Sequence, residues 1–168
     1  SAIRYTVGQA AYGYHGFGDL FVFLFFGWVS VIGSYYLQVQ TINSTSLFLA
    51  TAIGLLSVGV LNLNNMRDIT NDKNSQKNTL VVYLGSQKGK YYHYLLMGFG
   101  ALFLLFGMGT VFVKKYPLSL LIVLPIFLHL YQVAKIREPK AYDPLLKQLA
   151  LSTFFVSLTL FMIFYRYQ

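Results

Sequence analysis

Long apolar runs alternate with short polar stretches along the chain. The apolar runs cover residues 20–37, 47–61, 95–113, 118–133 and 149–165. About 20 apolar residues cross a bilayer as a helix, and flanking Asn, Tyr and Lys residues extend shorter runs into the interface. The runs are continuously apolar, whereas a membrane β-barrel needs alternation with a period of two. The pattern therefore predicts an all-α, multi-pass transmembrane helical bundle with five spans.

Glycines and one proline stand inside these runs. In a soluble helix each glycine costs about 1 kcal/mol relative to alanine, but between membrane helices it permits close approach. We therefore expect packing contacts at Gly27, Gly33, Gly54, Gly59, Gly98, Gly107 and Gly109. Pro125 lies inside the fourth run, where it predicts a kink.

The composition supports a membrane protein and excludes several other classes. Hydrophobic residues make up 56% of the chain and charged residues 11%, which is too little charge for the surface of a soluble domain. The net charge of +8 falls between the apolar runs, where it meets lipid headgroups or an anionic ligand. No basic stripe interleaved with aromatic residues occurs, which argues against nucleic-acid binding. The chain has no cysteine, which excludes disulfides and thiolate metal sites.

The distribution of positive charge predicts the orientation in the membrane. Ten of the thirteen lysine and arginine residues lie in the N-terminal segment and in loops 62–94 and 134–148. Cytoplasmic loops of membrane proteins carry an excess of these residues. We therefore expect the N-terminus and both polar loops on the cytoplasmic face of the cell (inner) membrane.

The loop after the second run holds an unusual polar sequence, NNMRDITNDKNSQKNTLVVYLG, at residues 64–85. Only five residues of the chain are acidic, and two of them, Asp68 and Asp72, stand four apart here. This spacing places Asn64, Asp68 and Asp72 on one helical face. The two carboxylates repel each other unless a cation lies between them, and Mg²⁺ binds one or two carboxylates together with water and phosphate oxygens. The pattern predicts half of a Mg²⁺–phosphate clamp, with Asp68 and Asp72 as metal ligands and catalytic residues.

Further polar residues surround the aspartate pair. Arg67, Lys73 and Lys77 supply positive charge suited to a diphosphate, and Asn64 lies one turn deeper, within reach of a ligand oxygen. These four residues are the candidate substrate-binding groups. The absence of His and Cys from the stretch argues against zinc. A solvated loop whose charges only set the topology remains the alternative interpretation.

The wider string resembles a known motif. An Arg-Asp-x-x-x-Asp helix that runs into a Lys-x-Thr-Leu segment is similar to the second aspartate-rich motif of the UbiA family of membrane prenyltransferases. The matching positions are Arg67, Asp68, Asp72, Lys77, Thr79 and Leu80. The strings YTVGQAAYGYHGFGDLFVFLFFG (5–27), IGSYYLQ and YDPLLKQLA resemble the branch that prenylates 1,4-dihydroxy-2-naphthoate in menaquinone synthesis.

The resemblance implies nine transmembrane helices around a central cavity, of which this chain holds about the last five. Residues 1–168 then form the C-terminal part of a single UbiA-type domain, and the N-terminal part with the first aspartate-rich motif is missing. Asp19 and Asp143 match nothing in that first motif. Two departures stand out: Gln76 replaces a usual glycine, and Gln9 occupies a position where many relatives carry lysine.

The implied activity is Mg²⁺-dependent transfer of a polyprenyl group from polyprenyl diphosphate to 1,4-dihydroxy-2-naphthoate, which gives demethylmenaquinone. Two Mg²⁺ ions, one for each motif, would neutralise the diphosphate as the allylic C–O bond breaks. Because half of the metal site is missing, we expect the isolated chain to be inactive.

Several alternatives stay open from the sequence. Another aromatic acceptor, 4-hydroxybenzoate, is used elsewhere in the same superfamily. A transporter fragment whose Asp68 and Asp72 bind a permeating cation is a non-enzymatic alternative, although such acids belong near the bilayer midplane. A CDP-alcohol phosphotransferase needs further aspartates that are absent here.

Overall fold

A computed structural model describes the backbone of residues 16–166 and the side chains of that range other than 110–112, 118 and 163–166. Helices make up the architecture, and no strand occurs in the described residues, so the predicted all-α bundle is confirmed. Four helices are long and apolar enough to cross a membrane, at Gly18–Val39, Ser44–Arg67, Ser86–Met108 and Pro139–Met162, and a shorter apolar helix covers Ser119–Lys135.

The helices are numbered in chain order. The first, α1, is Gly18–Val39, with π-helical geometry over Phe23–Ile32. The others are α2 (Ser44–Arg67), α3 (Ile69–Asn74), α4 (Leu80–Leu84), α5 (Ser86–Met108), α6 (Thr110–Lys115), α7 (Leu124–Lys135) and α8 (Asp143–Arg166). Short 3₁₀ segments at Pro117–Val123 and Pro139–Tyr142 precede α7 and α8.

Helix α2 lies at the centre and packs against α1, α5 and α8. Its first turn is fixed by a capping box, in which Asn43 Oδ1 accepts from the Ser46 amide at 2.8 Å. The core between the helices contains Leu56, Leu63, Met66, Met97, Leu104 and Leu149, all fully buried. In contrast, most of α1 is exposed and apolar, which suits contact with lipid or with further helices.

Two helix boundaries differ from the hydropathy pattern. Helix α2 continues to Arg67 rather than residue 61, and α5 begins at Ser86 rather than residue 95. In both cases polar side chains occupy helical turns at the same end of the bundle. Hydropathy marks where a helix enters the apolar layer, whereas backbone hydrogen bonding decides where the helix ends.

Pro125 does not kink the interior of a helix as predicted. It lies in the first turn of α7, directly after the 3₁₀ segment Pro117–Val123. The first turn of a helix has amide groups without intrahelical partners, so a residue without an N–H is accommodated there at little cost. The proline therefore marks a change of helix type.

Some of the glycines form close helix contacts and others do not. A Cβ added to Gly27 on α1 would lie 2.7 Å from the carbonyl oxygen of Ala50 and 2.8 Å from Gly54 Cα on α2. The packing prediction is confirmed at Gly27, Gly54, Gly59 and Gly107, where an added Cβ would collide with a neighbouring helix. No such contact occurs among the described residues at Gly33, Gly98 and Gly109, which have no described neighbour within 4 Å of that position.

A buried histidine pair joins α5 to α7. The Nε2 atoms of His93 and His129 lie 3.0 Å apart, and both side chains are buried. At this distance one ring donates a hydrogen bond and the other accepts it, so the two rings hold complementary tautomers. The pair acts as a polar contact between two otherwise apolar helix faces.

Candidate functional site

The polar sequence predicted as a site lies where α2 gives way to α3. Asp68 ends α2 with φ −96° and ψ 9°. The helical hydrogen bonds nevertheless continue, because the Asp68 amide donates to the Asn64 carbonyl at 3.0 Å and the Asp72 amide donates to the Asp68 carbonyl at 2.8 Å. Asn64, Asp68 and Asp72 therefore stand on consecutive turns, in the register that the sequence predicted.

Arg67 organises the first part of the site. Its Nε and Nη2 atoms donate to the two carboxylate oxygens of Asp68 at 2.9 and 2.7 Å, a bidentate pair. Nη2 also donates to Asn64 Oδ1 at 2.7 Å, and Nη1 donates to Asp143 Oδ1 at 2.9 Å. The guanidinium thus links the end of α2 to the start of α8 and orients Asp68.

The ion pair affects the protonation of Asp68. The hydrogen bonds from Arg67 lower the pKa of the Asp68 carboxyl from its ordinary value, although partial burial works in the opposite direction. A lowered pKa means that the carboxylate is ionised at neutral pH. Its contribution to stability is present above the ordinary carboxyl pKa and is lost as the pH falls through the lowered pKa.

Asp72 and Lys77 form the second ion pair. Lys77 Nζ lies 3.2 Å from Asp72 Oδ1, and the Asp72 side chain is almost fully buried. The chain folds back between them, since the Lys77 amide donates to the Asp72 carbonyl at 2.9 Å. Gln76 takes a φ of 58° in this turn. That left-handed conformation favours glycine, which explains the glycine expected at this position from the resemblance.

Lys73 stands apart from both ion pairs. Its side chain is exposed, and it has no partner among the described residues. The structure therefore brings together Asn64, Arg67 and Asp68 in one group and Asp72 with Lys77 in a second, but it does not bring Lys73 into either.

The donor set suits a hard divalent cation. Asn64, Asp68 and Asp72 offer amide and carboxylate oxygens, which Mg²⁺ prefers, and Mg²⁺ takes its remaining ligands from water and phosphate. No group of three or more His, Cys, Asp or Glu side chains suited to a metal occurs in the described part of the chain. A hard divalent cation bound here would therefore take its remaining ligands from water or from a phosphate.

A small cavity lies beside the second ion pair. We call it the Asp19 cavity; its volume is about 30 Å³, and its walls include Asp19, Leu61, Asn65, Lys77, Thr79 and Leu80. Asp19, at the start of α1, accepts a hydrogen bond from the Tyr92 hydroxyl of α5 at 2.9 Å. Asn65 is buried, and its Oδ1 atom has no hydrogen-bond partner in the described residues.

Sequence reasoning missed three residues of this region. Asp19 and Asp143 match no motif, and Asn65 was not singled out within the polar stretch. One signal was available: ionisable residues beside membrane helices are costly and need partners, and the chain has only five acidic residues. Gln9 lies outside the described residues.

The fold and the site define a multi-pass helical membrane protein with an aspartate pair at one end of its central helix. A family model described as the UbiA prenyltransferase family matches residues 1–159. The chain belongs to this family.

Several curated relatives are similar to the chain. A 1,4-dihydroxy-2-naphthoate octaprenyltransferase of Escherichia coli is 50% identical over 126 residues, which cover 70% of this chain and 41% of that protein. The protein with the same name from Haemophilus influenzae is 39% identical over 159 residues, covering 94% of this chain and 52% of that protein. A UbiA prenyltransferase domain-containing protein 1 of Dictyostelium discoideum is 34% identical over 154 residues, which cover 91% of this chain and 46% of that protein.

The chain thus spans about half the length of the curated relatives it matches. No solved structure gives a significant match.

Proposed function

We propose that this chain is part of an enzyme that transfers a polyprenyl group from polyprenyl diphosphate to 1,4-dihydroxy-2-naphthoate, with Mg²⁺ as cofactor, to give demethylmenaquinone. The observation that carries the proposal is the placement of Asp68 and Asp72 on consecutive turns at the end of the central helix. The names of the Escherichia coli and Haemophilus influenzae relatives support the naphthoate as acceptor.

Asp68 and Asp72 are the residues that would hold the metal. When bound, Mg²⁺ supplies the positive charge that stabilises a departing diphosphate. Arg67 keeps the Asp68 carboxylate ionised and oriented through its bidentate hydrogen bonds. The guanidinium therefore acts first on Asp68, and any contact of Arg67 with the diphosphate comes second.

The lysines are the groups that bind the anionic donor directly. Lys77 neutralises Asp72 in the structure, and an incoming diphosphate offers this ammonium group a second anionic partner. Lys73 has no partner among the described residues and is exposed, so it is available to a phosphate oxygen. Asn64 adds an amide that contacts a ligand oxygen or a metal-bound water.

The remaining features of the proposal concern the whole enzyme. Residues 1–168 form the C-terminal part of one UbiA-type domain, and an N-terminal part supplies the first aspartate-rich motif and the helices that complete the cavity. The isolated chain is then inactive.

The polar end of the bundle lies on the cytoplasmic side of the inner membrane, in line with its lysine and arginine residues. Asp68 lies just beyond the end of α2, which disfavours a transport site near the bilayer midplane.

The test is a transfer assay on a reconstituted complex, formed by co-expressing this chain in membranes with the N-terminal portion of the Escherichia coli relative. Polyprenyl diphosphate and Mg²⁺ are supplied with either 1,4-dihydroxy-2-naphthoate or 4-hydroxybenzoate. We expect a prenylated product from the naphthoate alone, and no product when the N-terminal portion is omitted. A product from the benzoate alone would assign a different acceptor. No product from either, in a complex shown to assemble, would contradict the proposal.

A further inference from the structure

The Asp19 cavity is lined by hydrogen-bond acceptors that lack donors. Asn65 is only 3% exposed, and its Oδ1 atom has no hydrogen-bond partner in the described part of the chain. The Asp19 carboxylate accepts from the Tyr92 hydroxyl at 2.9 Å, but it forms no ion pair with any described residue. Buried acceptors without a donor are costly. The cavity therefore suits a group that donates more than one hydrogen bond.

The size and charge of the cavity limit what that group is. The space open to the centre of a water-sized sphere is about 30 Å³, and one water molecule needs roughly 10–15 Å³ on that measure. A water molecule donates two hydrogen bonds, and an ammonium group of similar size donates three. Both fit the acceptors, and the Asp19 carboxylate attracts the ammonium group more strongly because it is charged.

Lys77 carries the ammonium group that borders the cavity. Its side chain is part of the cavity wall, and its Nζ atom donates to the two carboxylate oxygens of Asp72 at 3.2 and 3.4 Å. A flexible four-carbon stem joins Nζ to the backbone. A change of side-chain rotamer, without movement of the backbone, therefore turns the ammonium group from Asp72 towards the cavity.

Lys77 competes with a divalent cation for Asp72. The ammonium group lies against both carboxylate oxygens, and the Asp72 side chain is almost fully buried. Two cations at one carboxylate repel each other, most strongly where water is largely excluded. Binding of a divalent cation at Asp72 therefore requires the ammonium group to move away. The more favourable its new position, the tighter the cation binds.

We propose that the Lys77 ammonium group moves into the Asp19 cavity when Asp72 binds a divalent cation. There it pairs with the Asp19 carboxylate and donates to Asn65 Oδ1. This inference rests on the proposed function, in which Asp72 is a metal ligand. It makes Asp19 and Asn65 positioning residues, which act on Asp72 through Lys77. A bound diphosphate offers the ammonium group another anionic partner, so the cavity matters most before the donor binds.

The experiment measures Mn²⁺ binding to the reconstituted complex by electron paramagnetic resonance, without the diphosphate donor. We expect Asp19→Asn to weaken Mn²⁺ binding about three- to tenfold, because Lys77 then has no charged partner other than Asp72. In a Lys77→Gln background, where no ammonium group has to move, the same change should weaken binding by less than about twofold. The direct attraction between Asp19 and the cation is present in both backgrounds, so the comparison isolates the contribution of Lys77.

Asn65→Leu tests the cavity without a change of charge. It removes the unpartnered oxygen and keeps a side chain of similar size, so a loss of long-range attraction cannot explain its effect. We expect Mn²⁺ binding to weaken roughly two- to threefold when Lys77 is present, and to stay unchanged in the Lys77→Gln background.

Two control variants match these changes. Glu138→Gln makes the same acid-to-amide change as Asp19→Asn at an exposed residue outside the site, and we expect it to leave Mn²⁺ binding unchanged. Lys73→Gln removes the same charge as Lys77→Gln from an exposed lysine. In that background Asp19→Asn should weaken Mn²⁺ binding by the same factor as in the unsubstituted complex.

The outcomes separate this inference from the proposed function. Unchanged Mn²⁺ binding in Asp19→Asn would overturn the inference, as would equal weakening with and without Lys77. Mn²⁺ binding that is absent, or that persists in full in Asp72→Asn, would overturn both the inference and the proposed metal site. The expected pattern of Mn²⁺ binding in a complex that transfers no prenyl group would support the inference and contradict the proposed function alone.

Discussion

At the scale of single residues, the site depends on how one arginine is shared. Arg67 pairs with Asp68 at 2.7 Å and with Asp143 at 2.9 Å, although Asp143 lies 76 residues away in the sequence. The Asp143 carboxylate partly neutralises the charge of Arg67 and holds the guanidinium at the start of α8. Asp143 is therefore a candidate positioning residue, because it contacts Arg67 and would act on Asp68, the proposed metal ligand, only through that arginine.

Removal of the Asp143 charge is expected to weaken binding of the divalent cation. In Asp143→Asn, Arg67 pairs with Asp68 alone and the site is more positive by one unit. Both changes weaken the binding of Mg²⁺ at Asp68. These side chains are partly exposed, so solvent screening limits the effect, and we predict a two- to fivefold rise, roughly, in the Mg²⁺ concentration for half-maximal transfer.

The matched control for Asp143→Asn is Lys147→Gln. Lys147 Nζ lies 3.7 Å from the other oxygen of Asp143 and does not contact Asp68. This change lowers the local positive charge, so the Mg²⁺ requirement should stay the same or fall. Binding of Mn²⁺, followed by electron paramagnetic resonance, checks affinity without turnover. Identical Mg²⁺ and Mn²⁺ titrations for Asp143→Asn and the unsubstituted complex would rule out the positioning role.

At the scale of helices, the contact between α1 and α2 depends on two glycines that face each other. Gly27 and Gly54 bring the helix backbones together, since an added Cβ at Gly27 would lie 2.7 Å from the Ala50 carbonyl oxygen. The nearest atoms on α2, the Ala50 carbonyl oxygen and Gly54 Cα, belong to the backbone, so neither can move away by a change of rotamer. The middle of α1 is therefore held against α2 by close backbone packing, about two turns along the helix from Asp19.

We predict that Gly27→Ala lowers the thermal stability of the reconstituted complex, by about 1–3 kcal/mol in free energy of unfolding, because the added methyl group overpacks this contact. Gly33→Ala is the control: it makes the same change in the same helix at a position with no described atom within 4 Å. Unfolding in detergent, followed by circular dichroism, provides the measurement. Equal stability of the two variants would contradict the role of Gly27 in packing.

The contacts between helices also mark the limit of what the sequence predicts. Composition and hydropathy were sufficient to predict a helical membrane bundle. Residue spacing was sufficient to predict that Asn64, Asp68 and Asp72 stand on consecutive helical turns. The His93–His129 pair and the Arg67–Asp143 pair join residues 36 and 76 positions apart. A single sequence has no local pattern for such contacts, because they depend on how the helices are arranged in space. For the same reason, glycine spacing alone did not separate Gly27 from Gly33.

At the scale of the whole molecule, the polar groups collect at one end of an apolar bundle. The Asp68–Arg67–Asp143 cluster, the Asp72–Lys77 pair and the Asp19 cavity all lie around the end of α2. Three segments distant in the sequence supply them: the start of α1, the region from α2 to α4, and the start of α8. Four of the five acidic residues, Asp19, Asp68, Asp72 and Asp143, therefore lie at this end of the bundle.

The most direct test of the account measures diphosphate release by the reconstituted complex as a function of Mg²⁺ concentration. We predict saturable Mg²⁺ dependence in the unsubstituted complex and in Glu138→Gln. In Asp68→Asn and in Asp72→Asn, kcat/KM should fall about a hundredfold or more, because each variant loses a carboxylate that we propose as a ligand of the metal. If either variant assembles and keeps the full Mg²⁺-dependent rate, its aspartate is not a metal ligand and the central claim is wrong.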